Sequence, residues 1–206
     1  MSTGLVVCFD GPDGVGKTTQ LNLAADSLKS DGYKVFTVKA VGGMPLTDLL
    51  GQALMMNVDR PPEADLHIAM AGQYAISPEI LKRRQAGEIV LIDRSPLSII
   101  AYQVYADGLE KAKGEAATQE LLDLLKPDLI ISYAADRQTS KARLDERNGQ
   151  SEVDYFESKP DDYHEKTSDG FKAAAEKFGA KTVDANAPIE LVREATMQLI
   201  GQALQT

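Results

Sequence analysis

The chain has 206 residues, of which 43% are hydrophobic, and it carries a formal net charge of −9. This charge argues against a broad surface for nucleic acid or for an anionic membrane, because such surfaces need clustered lysine and arginine. No apolar stretch approaches the ~18 residues that cross a bilayer, and the first residues lack the pattern of a signal peptide. A single cysteine, Cys8, excludes an intrachain disulfide and fits a reducing cytoplasm.

Hydrophobic spacing and turn residues predict strands that alternate with helices. In chain order we expect a strand at 5–9, a helix at 17–30, a strand at 34–39, helices at about 46–57 and 63–85, a strand at 89–92, helices at about 98–105 and 118–125, a strand at 128–133, a helix at 139–147, an irregular stretch at 149–160, a helix at 161–178, a strand at 181–183 and a helix at 188–204. Pro78 should kink or split the long helix. This alternation predicts an α/β fold with a parallel sheet covered on both faces. No linker divides the chain, so we expect one domain over residues 1–206.

The strongest motif follows the first predicted strand and opens the first predicted helix. It reads Gly11-Pro12-Asp13-Gly14-Val15-Gly16-Lys17-Thr18 and matches the phosphate-loop pattern G-x-x-x-x-G-K-[ST]. Glycines let successive backbone N–H groups point at phosphate oxygens, and the helix dipole adds positive potential. We expect Lys17 to reach the β- and γ-phosphates of a nucleoside triphosphate and Thr18 to bind Mg²⁺. The predicted triphosphate contacts in this loop are Gly11, Asp13, Gly14, Val15, Gly16, Lys17, Thr18 and Thr19.

A second motif, Asp93-Arg94, directly follows the strand predicted at 89–92. Ligand groups of an open α/β sheet converge at the carboxyl ends of its strands. Asp93 can therefore hold Mg²⁺ directly or through water, and Arg94 offers paired donors for a phosphate. The alternative is an Asp–Arg pair that caps the next helix.

Other classes of phosphate-loop protein fit less well. A GTPase switch should carry an [NT]-K-x-D guanine motif, and the chain has none. Its D-x-x-G spelling at residues 48–51 lies on a helical pattern rather than after a strand. A partition or motor ATPase remains possible in principle, but no obvious interaction domain accompanies the loop.

The two motifs together resemble those of thymidylate kinases. The first extends from Phe9 to Gln20, and the second adds Ser98, Ala101, Tyr102 and Gln103 in register with Asp93-Arg94. The segments at 127–129 and 183–185 follow in the expected order, so the resemblance covers nearly the whole chain. It implies a three-layer P-loop NTPase fold with a five-stranded parallel sheet and a flexible lid at about 145–160. It also implies ATP with Mg²⁺, a nucleoside monophosphate as acceptor, and commonly a homodimer.

The resemblance assigns candidate roles around the transferred phosphoryl group. Arg94 is similar to the family's acceptor-phosphate arginine. Gly14 occupies a position where one branch of the family has arginine; the other branch supplies this cation from the lid. Arg147, or Arg143 on the preceding turn, is the candidate for that role here. Such a cation neutralises charge on the transferred group, an effect of about 10³–10⁵ in rate in related systems. The candidate catalytic residues are Lys17, Arg94, Arg143 and Arg147, and the residues expected to border the adenine are Asp184, Ala185 and Asn186.

The acceptor side departs from the family pattern. By resemblance, Asp13 meets the 3′-hydroxyl of the sugar and Tyr102 excludes a 2′-hydroxyl. A base-stacking phenylalanine and a base-contacting arginine are expected near Ile68 and Gly72, but neither is present, and neighbouring Gln73, Tyr74 or His67 could contribute instead. Lys39 replaces an arginine as the phosphate cation of its segment. The predicted lid is acidic, with Tyr155 where an arginine often lies. The candidate acceptor contacts are Asp13, Lys39, Ile68, Gly72, Gln73, Arg94, Ser98, Tyr102 and Gln103.

The acceptor is expected to be a monophosphate. A phosphate already presents an anionic oxygen, since its second pKa is about 6, whereas a nucleoside hydroxyl needs a carboxylate base. Ala40 stands where such a base would be supplied. The chain is therefore predicted to phosphorylate a nucleoside monophosphate, with dTMP as the first candidate. A different nucleotide, another small phosphorylated metabolite, and a binding module that has lost catalysis remain as alternatives.

Overall fold

The computed structural model describes residues 4–148 and 155–205. Its centre is a five-stranded parallel sheet with strand order β2-β3-β1-β4-β5. The strands are β1 Val6–Asp10, β2 Val35–Lys39, β3 Ile89–Asp93, β4 Leu129–Ala134 and β5 Lys181–Asp184. Phe9 of β1 lies opposite Asp93 on one side and Ile131 on the other. The prediction of a five-stranded parallel sheet in an α/β fold is confirmed.

Helices cover the sheet and connect its strands. They are α1 Lys17–Ser30, α2 Pro45–Met55, α3 Pro62–Gln85, α4 Leu97–Ile99 with a π-helical continuation Ile100–Ala106, α5 Lys111–Leu125, α6 Arg137–Asn148, α7 Asp161–Phe178 and α8 Ile189–Ala203. None of the helices in the described ranges combines the length and apolar character needed to cross a bilayer. Part of the predicted lid, residues 149–154, lies outside the described residues.

Alternate residues of β1 enter two cores on opposite faces of the sheet. Val7 and Phe9 pack in the core that includes Leu28 of α1. Val6 and Cys8 pack in the other core, which includes Ile76 of α3. Each fully buried aliphatic side chain stabilises the fold by roughly 1.5–3 kcal/mol relative to its exposed state. Burial on both faces explains why the strands read as continuous apolar runs rather than as alternating ones.

Two predicted helices differ from the structure for local reasons. Of the kink or split expected at Pro78, the split does not occur, because α3 is one helix of 24 residues. Pro78 has no N–H for the carbonyl of Tyr74, but the hydroxyl of Ser77 donates to that carbonyl at 2.9 Å. Helix α5 begins at Lys111, seven residues before the predicted start. Its first turns are polar, and Gly114 packs so closely on Val104 that a Cβ there would lie 2.2 Å from its Cγ2.

Candidate active site

A cleft of about 810 Å³ lies over the carboxyl ends of β1 and β3. Most of the predicted site residues border it: Asp13, Gly14, Val15, Gly16, Lys17, Thr18, Thr19, Lys39, Gln73, Asp93, Arg94, Ser98, Tyr102, Gln103, Arg143, Arg147 and Ala185. Five others are not part of its wall: Gly11, Ile68, Gly72, Asp184 and Asn186. Residues that are distant in sequence thus converge on one cavity at the edge where ligands bind open α/β sheets.

The phosphate loop takes backbone conformations that favour glycine. Gly11, Gly14 and Gly16 have φ angles of 134°, 81° and 94°. The loop leads into α1 at Lys17, so the positive end of the helix faces the cleft. Lys17 Nζ donates to the carbonyl of Pro12 at 2.8 Å. Burial and the nearby Arg94 lower the pKa of Lys17, although neighbouring carboxylates partly offset them.

A partly buried network joins Asp13 of the phosphate loop to Arg94 and Tyr102. One carboxylate oxygen of Asp13 accepts a hydrogen bond from Arg94, and the other accepts from the Tyr102 hydroxyl at 2.7 Å. Burial would raise the pKa of Asp13, but Arg94 and Lys17 outweigh it and hold that pKa well below its usual range. The Arg94 guanidinium also lies 5.2 Å from the centre of the Tyr102 ring. Asp13 is therefore an anion that fixes both side chains.

Arg94 has two features that set it apart. Its φ of 77° is in the left-handed region, which is costly for a residue with a side chain. Its Nη1 is buried without a hydrogen-bond partner among the described residues. A buried guanidinium nitrogen needs an acceptor, and a phosphate oxygen is the one that an arginine fork suits best.

Asp10 anchors the floor of the site, a role that the sequence analysis missed. Its carboxylate accepts from the backbone N–H of Gly11 and of Ser95 at 3.0 Å each, and from the Ser98 hydroxyl at 2.9 Å. It thereby joins the phosphate loop to the turn after β3. Burial raises the pKa of Asp10, although Arg94 and the hydroxyls of Ser95 and Ser98 counteract it. The sequence signal that could have identified Asp10 is an acidic residue at the end of a fully buried strand.

Thr18 and Asp93 lie together, as expected for a shared metal site. The Thr18 hydroxyl donates to the Asp93 carboxylate at 2.7 Å. Both are hard oxygen ligands of the kind that Mg²⁺ prefers. Within residues 4–148 and 155–205 no group of three or more His, Cys, Asp or Glu side chains is arranged for a metal. A cation here would complete its coordination with phosphate oxygens and water, which is usual for Mg²⁺ at phosphates.

On the acceptor side, the structure places one of the three predicted residues of α3 at the cleft and the other two outside its wall. Ala69 and Gln73 border the cleft, whereas Ile68 and Gly72 do not. One residue rotates a helix position by about 100°, so an ungapped register that is off by one selects the wrong face. A Cβ on Gly72 would lie 3.0 Å from Cγ2 of Val41 and 3.1 Å from the carbonyl oxygen of Ala40, so a larger residue there would require its neighbours to shift.

On the donor side, the loop after β5 contributes mainly small apolar contacts. Ala185 borders the cleft together with Ala187 and Ile189. Asn186 instead accepts a hydrogen bond from the backbone N–H of Asp136 at 3.1 Å, and Asp184 accepts from the N–H of Asn186 at 2.9 Å. These two predicted adenine contacts therefore hold the loop in shape behind the cleft.

Comparison with known proteins agrees with this geometry. The family model described as Thymidylate kinase matches residues 9–196. The chain is 32% identical over 208 residues to the thymidylate kinase of Gluconobacter oxydans (strain 621H), covering 98% of this chain and 96% of that protein. The chain belongs to the thymidylate kinase family. This confirms the resemblance that the two motifs indicated.

Gly14 allows helix α6 to pack closely against the phosphate loop. A Cβ on Gly14 would lie 2.3 Å from the carbonyl oxygen of Ser140 and 2.8 Å from Cγ of Leu144. Helix α6 thus rests directly on the phosphate loop. Arg143 of α6 reaches back to the carbonyl of Val15 at 3.4 Å, and Arg147 borders the cleft while pairing with Glu157. A loop glycine is what allows the two candidate arginines of α6 to reach the cleft.

We expect Gly14→Ala to destabilise the protein more than Gly16→Ala. Both substitutions put a side chain at positive φ, which costs roughly 1–2 kcal/mol. At Gly16 a Cβ meets nothing within 4 Å, whereas at Gly14 it meets α6, which adds about 1–3 kcal/mol of overpacking. Thermal unfolding without nucleotide should give a Tm lower by about 2–4 °C per kcal/mol. Equal Tm values for the two variants would contradict the seating of α6 on the loop.

Phe156 is a second cleft residue that the sequence analysis missed. It borders the cleft, and its ring centre lies 5.3 Å from that of Tyr102. It belongs to the segment that follows residues 149–154. Its sequence neighbours are mostly polar and acidic, so no hydrophobic pattern indicates an apolar contact there. By contrast, Tyr74 is exposed on the outside of α3 and donates to Glu120. It does not replace the missing base contacts.

Proposed function

We propose that this member of the thymidylate kinase family transfers the γ-phosphoryl group of ATP to dTMP, forming ADP and dTDP. The observation that carries the proposal is the convergence of the phosphate loop and Arg94 on one cleft. The loop suits the phosphates of the donor, and the buried, unpartnered Nη1 of Arg94 suits the phosphate of the acceptor. Two phosphate sites that face each other are what direct transfer between nucleotides requires.

The transfer needs alignment and charge neutralisation rather than a base. A phosphate oxygen of the acceptor forms a bond to Pγ, and the bond from Pγ to the bridging oxygen breaks, so ADP leaves with the electron pair. Lys17 would neutralise charge on the β- and γ-phosphates, and Arg143 or Arg147 would do so on the transferred group. Ala40 is 2% exposed at the position where a nucleoside kinase would need a carboxylate, which supports a monophosphate acceptor.

Mg²⁺ is the proposed cofactor, held by Thr18 and Asp93. When bound with ATP, the ion would neutralise phosphate charge and orient the γ-phosphoryl group. The hydrogen bond between the two side chains keeps both oxygens together at the loop.

The sugar of the acceptor is proposed to lie against Asp13 and Tyr102. The anionic Asp13 can accept from a 3′-hydroxyl, since its low pKa leaves acceptor oxygens at any neutral pH. Tyr102 is held by Asp13 and packed by Phe156, so its ring is fixed where a 2′-hydroxyl would have to fit. Lys39, which borders the cleft, is a second cation for the acceptor phosphate.

Two broader features belong to the same proposal. A homodimer is supported by exposed apolar side chains on α2, where Leu46 is 58% and Leu49 is 63% exposed. A cytoplasmic location is supported by the single cysteine, Cys8, which is buried in β1. Light scattering across a concentration series tests the dimer.

The test of the function is ADP release from ATP–Mg²⁺ with each nucleoside and deoxynucleoside monophosphate in turn. Thymidine and a reaction without acceptor are the controls. Stimulation that is strongest with dTMP, and its loss on chelation of Mg²⁺, is the expected result. Stimulation by another monophosphate alone would keep the kinase proposal and identify that nucleotide, rather than dTMP, as the acceptor. No stimulation by any of them would overturn the kinase proposal and favour a binding module.

A further inference from the structure

Gln73 on α3 carries a buried amide oxygen that lacks a partner. The side chain is 3% exposed and borders the cleft, and its Oε1 has no hydrogen-bond donor among the described residues. A buried acceptor left in this state costs about 1–3 kcal/mol. A native protein that retains such a group in a cavity wall has it available for a ligand that supplies the hydrogen.

The sheet order assigns this part of the cleft to the acceptor. The phosphate loop follows the central strand β1, with β2 and β3 on one side and β4 and β5 on the other. Beyond β5, the cleft ends in small apolar residues such as Ala185 and Ile189; on the β2–β3 side it ends in Leu54 and Ala69 beside Gln73. Two apolar ends flank a charged centre. This suits two nucleotides whose phosphates meet in the middle and whose bases lie at opposite ends.

The amide of Gln73 can match either pyrimidine. Thymine presents N3–H as a donor and O4 as an acceptor, whereas cytosine presents N3 as an acceptor and the N4 amino group as a donor. A glutamine carries one acceptor and one donor group, and a half turn of the amide exchanges their positions. An arginine would present donors alone and would oppose the amino group of cytosine. No charged side chain is needed for either match.

We infer that Gln73 reads the base of the acceptor and that its amide gives the enzyme a second activity, the phosphorylation of dCMP. The inference rests on the proposed function and extends its substrate class. The chemical step is unchanged: a phosphate oxygen of dCMP bonds to Pγ, the bond from Pγ to the bridging oxygen breaks, and ADP leaves as dCDP forms. Gln103, 5% exposed and on the same cleft, is the second neutral amide available to a base.

The test compares kcat/KM for dTMP, dCMP and dGMP in the native protein and in two variants. In the native protein we expect dCMP to be used within about 100-fold of dTMP and at least about tenfold better than dGMP, because one hydrogen-bond mismatch corresponds to roughly tenfold. Gln73→Leu removes both amide groups and should lower kcat/KM for both pyrimidines by about 10–100-fold. Gln73→Arg should raise the dTMP-to-dCMP ratio by at least about tenfold.

The ratio keeps the test valid even where a variant folds poorly, since both acceptors are measured on the same active fraction. Tyr74→Phe is the matched control: it lies next on the same helix but faces Glu120, and it should leave both values unchanged. The inference fails if native dCMP activity does not exceed that with dGMP, or if Gln73→Arg leaves the ratio at its native value while dTMP is still used. If no monophosphate stimulates ADP release in the native protein, the proposed function fails first.

Discussion

Replacing Lys17 with alanine should abolish phosphoryl transfer and leave the fold in place. Lys17 is a buried cation of the phosphate loop, and its loss would remove the charge stabilisation proposed for the β- and γ-phosphates. Loss of one preorganised hydrogen-bond donor costs about 10²–10³ in rate, and a cation at the transferred group contributes up to about 10⁵. We therefore expect kcat/KM to fall by at least about 10³-fold with either substrate varied, measured as acceptor-dependent ADP release.

The fold should tolerate this change because burial already disfavours the charged form of Lys17, as its lowered pKa indicates. Circular dichroism should show the native spectrum in the variant. Lys29→Ala, an exposed residue in the last turn of the same helix, is the control and should keep full activity. Activity of Lys17→Ala within tenfold of the native value would contradict the placement of the donor phosphates.

The second large effect is expected at Arg94, where the acceptor phosphate is proposed to bind. Arg94→Ala removes the unpartnered Nη1 and the ion pair with Asp13. Each charge-assisted hydrogen bond from Arg94 to the acceptor phosphate would contribute about 1.5–3 kcal/mol. Loss of two such bonds should therefore raise KM for the acceptor by at least about 100-fold. KM for ATP should rise less than KM for the acceptor, because Lys17 and the loop glycines, which are proposed to hold the donor phosphates, stay in place.

Arg94→Lys separates charge from geometry. A lysine keeps the charge but not the planar fork, so it should recover part of the acceptor affinity without restoring that of the native protein. Without the guanidinium, burial of Asp13 is less well compensated, so its pKa should rise and the alanine variant should lose acceptor binding as pH falls toward that value. An equal rise in KM for ATP and for the acceptor would instead indicate a general disturbance of the cleft.

The sequence predicted the fold because each signal was local and agreed with the others. The first four residues of β3, Ile89 to Ile92, are all apolar and mostly β-branched. The phosphate-loop motif in turn predicts a strand before it and a helix after it. Helix α5 was underestimated because its first half is polar and its packing depends on Gly114 against Val104, a contact between different elements. The split that was one of the two expectations at Pro78 is absent for a similar reason, since the compensating Ser77 hydroxyl acts only once the helix has formed.

The site residues were predictable where a motif fixes their types and spacing. They were less predictable on a helix, where the rotation of the helix determines which residues face the cleft. Lys17, Asp93 and Arg94 converge as their motifs require. The acceptor wall on α3 depends on which residues face inward, and of the three predicted residues Gln73 does so whereas Ile68 and Gly72 do not. Phe156 could not be assigned from its neighbours, because its contact with Tyr102 joins segments more than fifty residues apart.

The close contact between Gly14 and α6 limits how this site can change in evolution. An arginine at position 14 and a helix α6 seated on the loop compete for the same space, since even a Cβ would overlap the Ser140 carbonyl. A lineage that moved its cation from the helix to the loop would first have to displace α6. This displacement would also remove the contact of Arg143 with the phosphate loop. If Arg143 or Arg147 supplies the cation, as proposed, an intermediate with α6 displaced and Gly14 unchanged would lack it. We therefore expect the two arrangements to exchange through paired substitutions and to persist as separate branches.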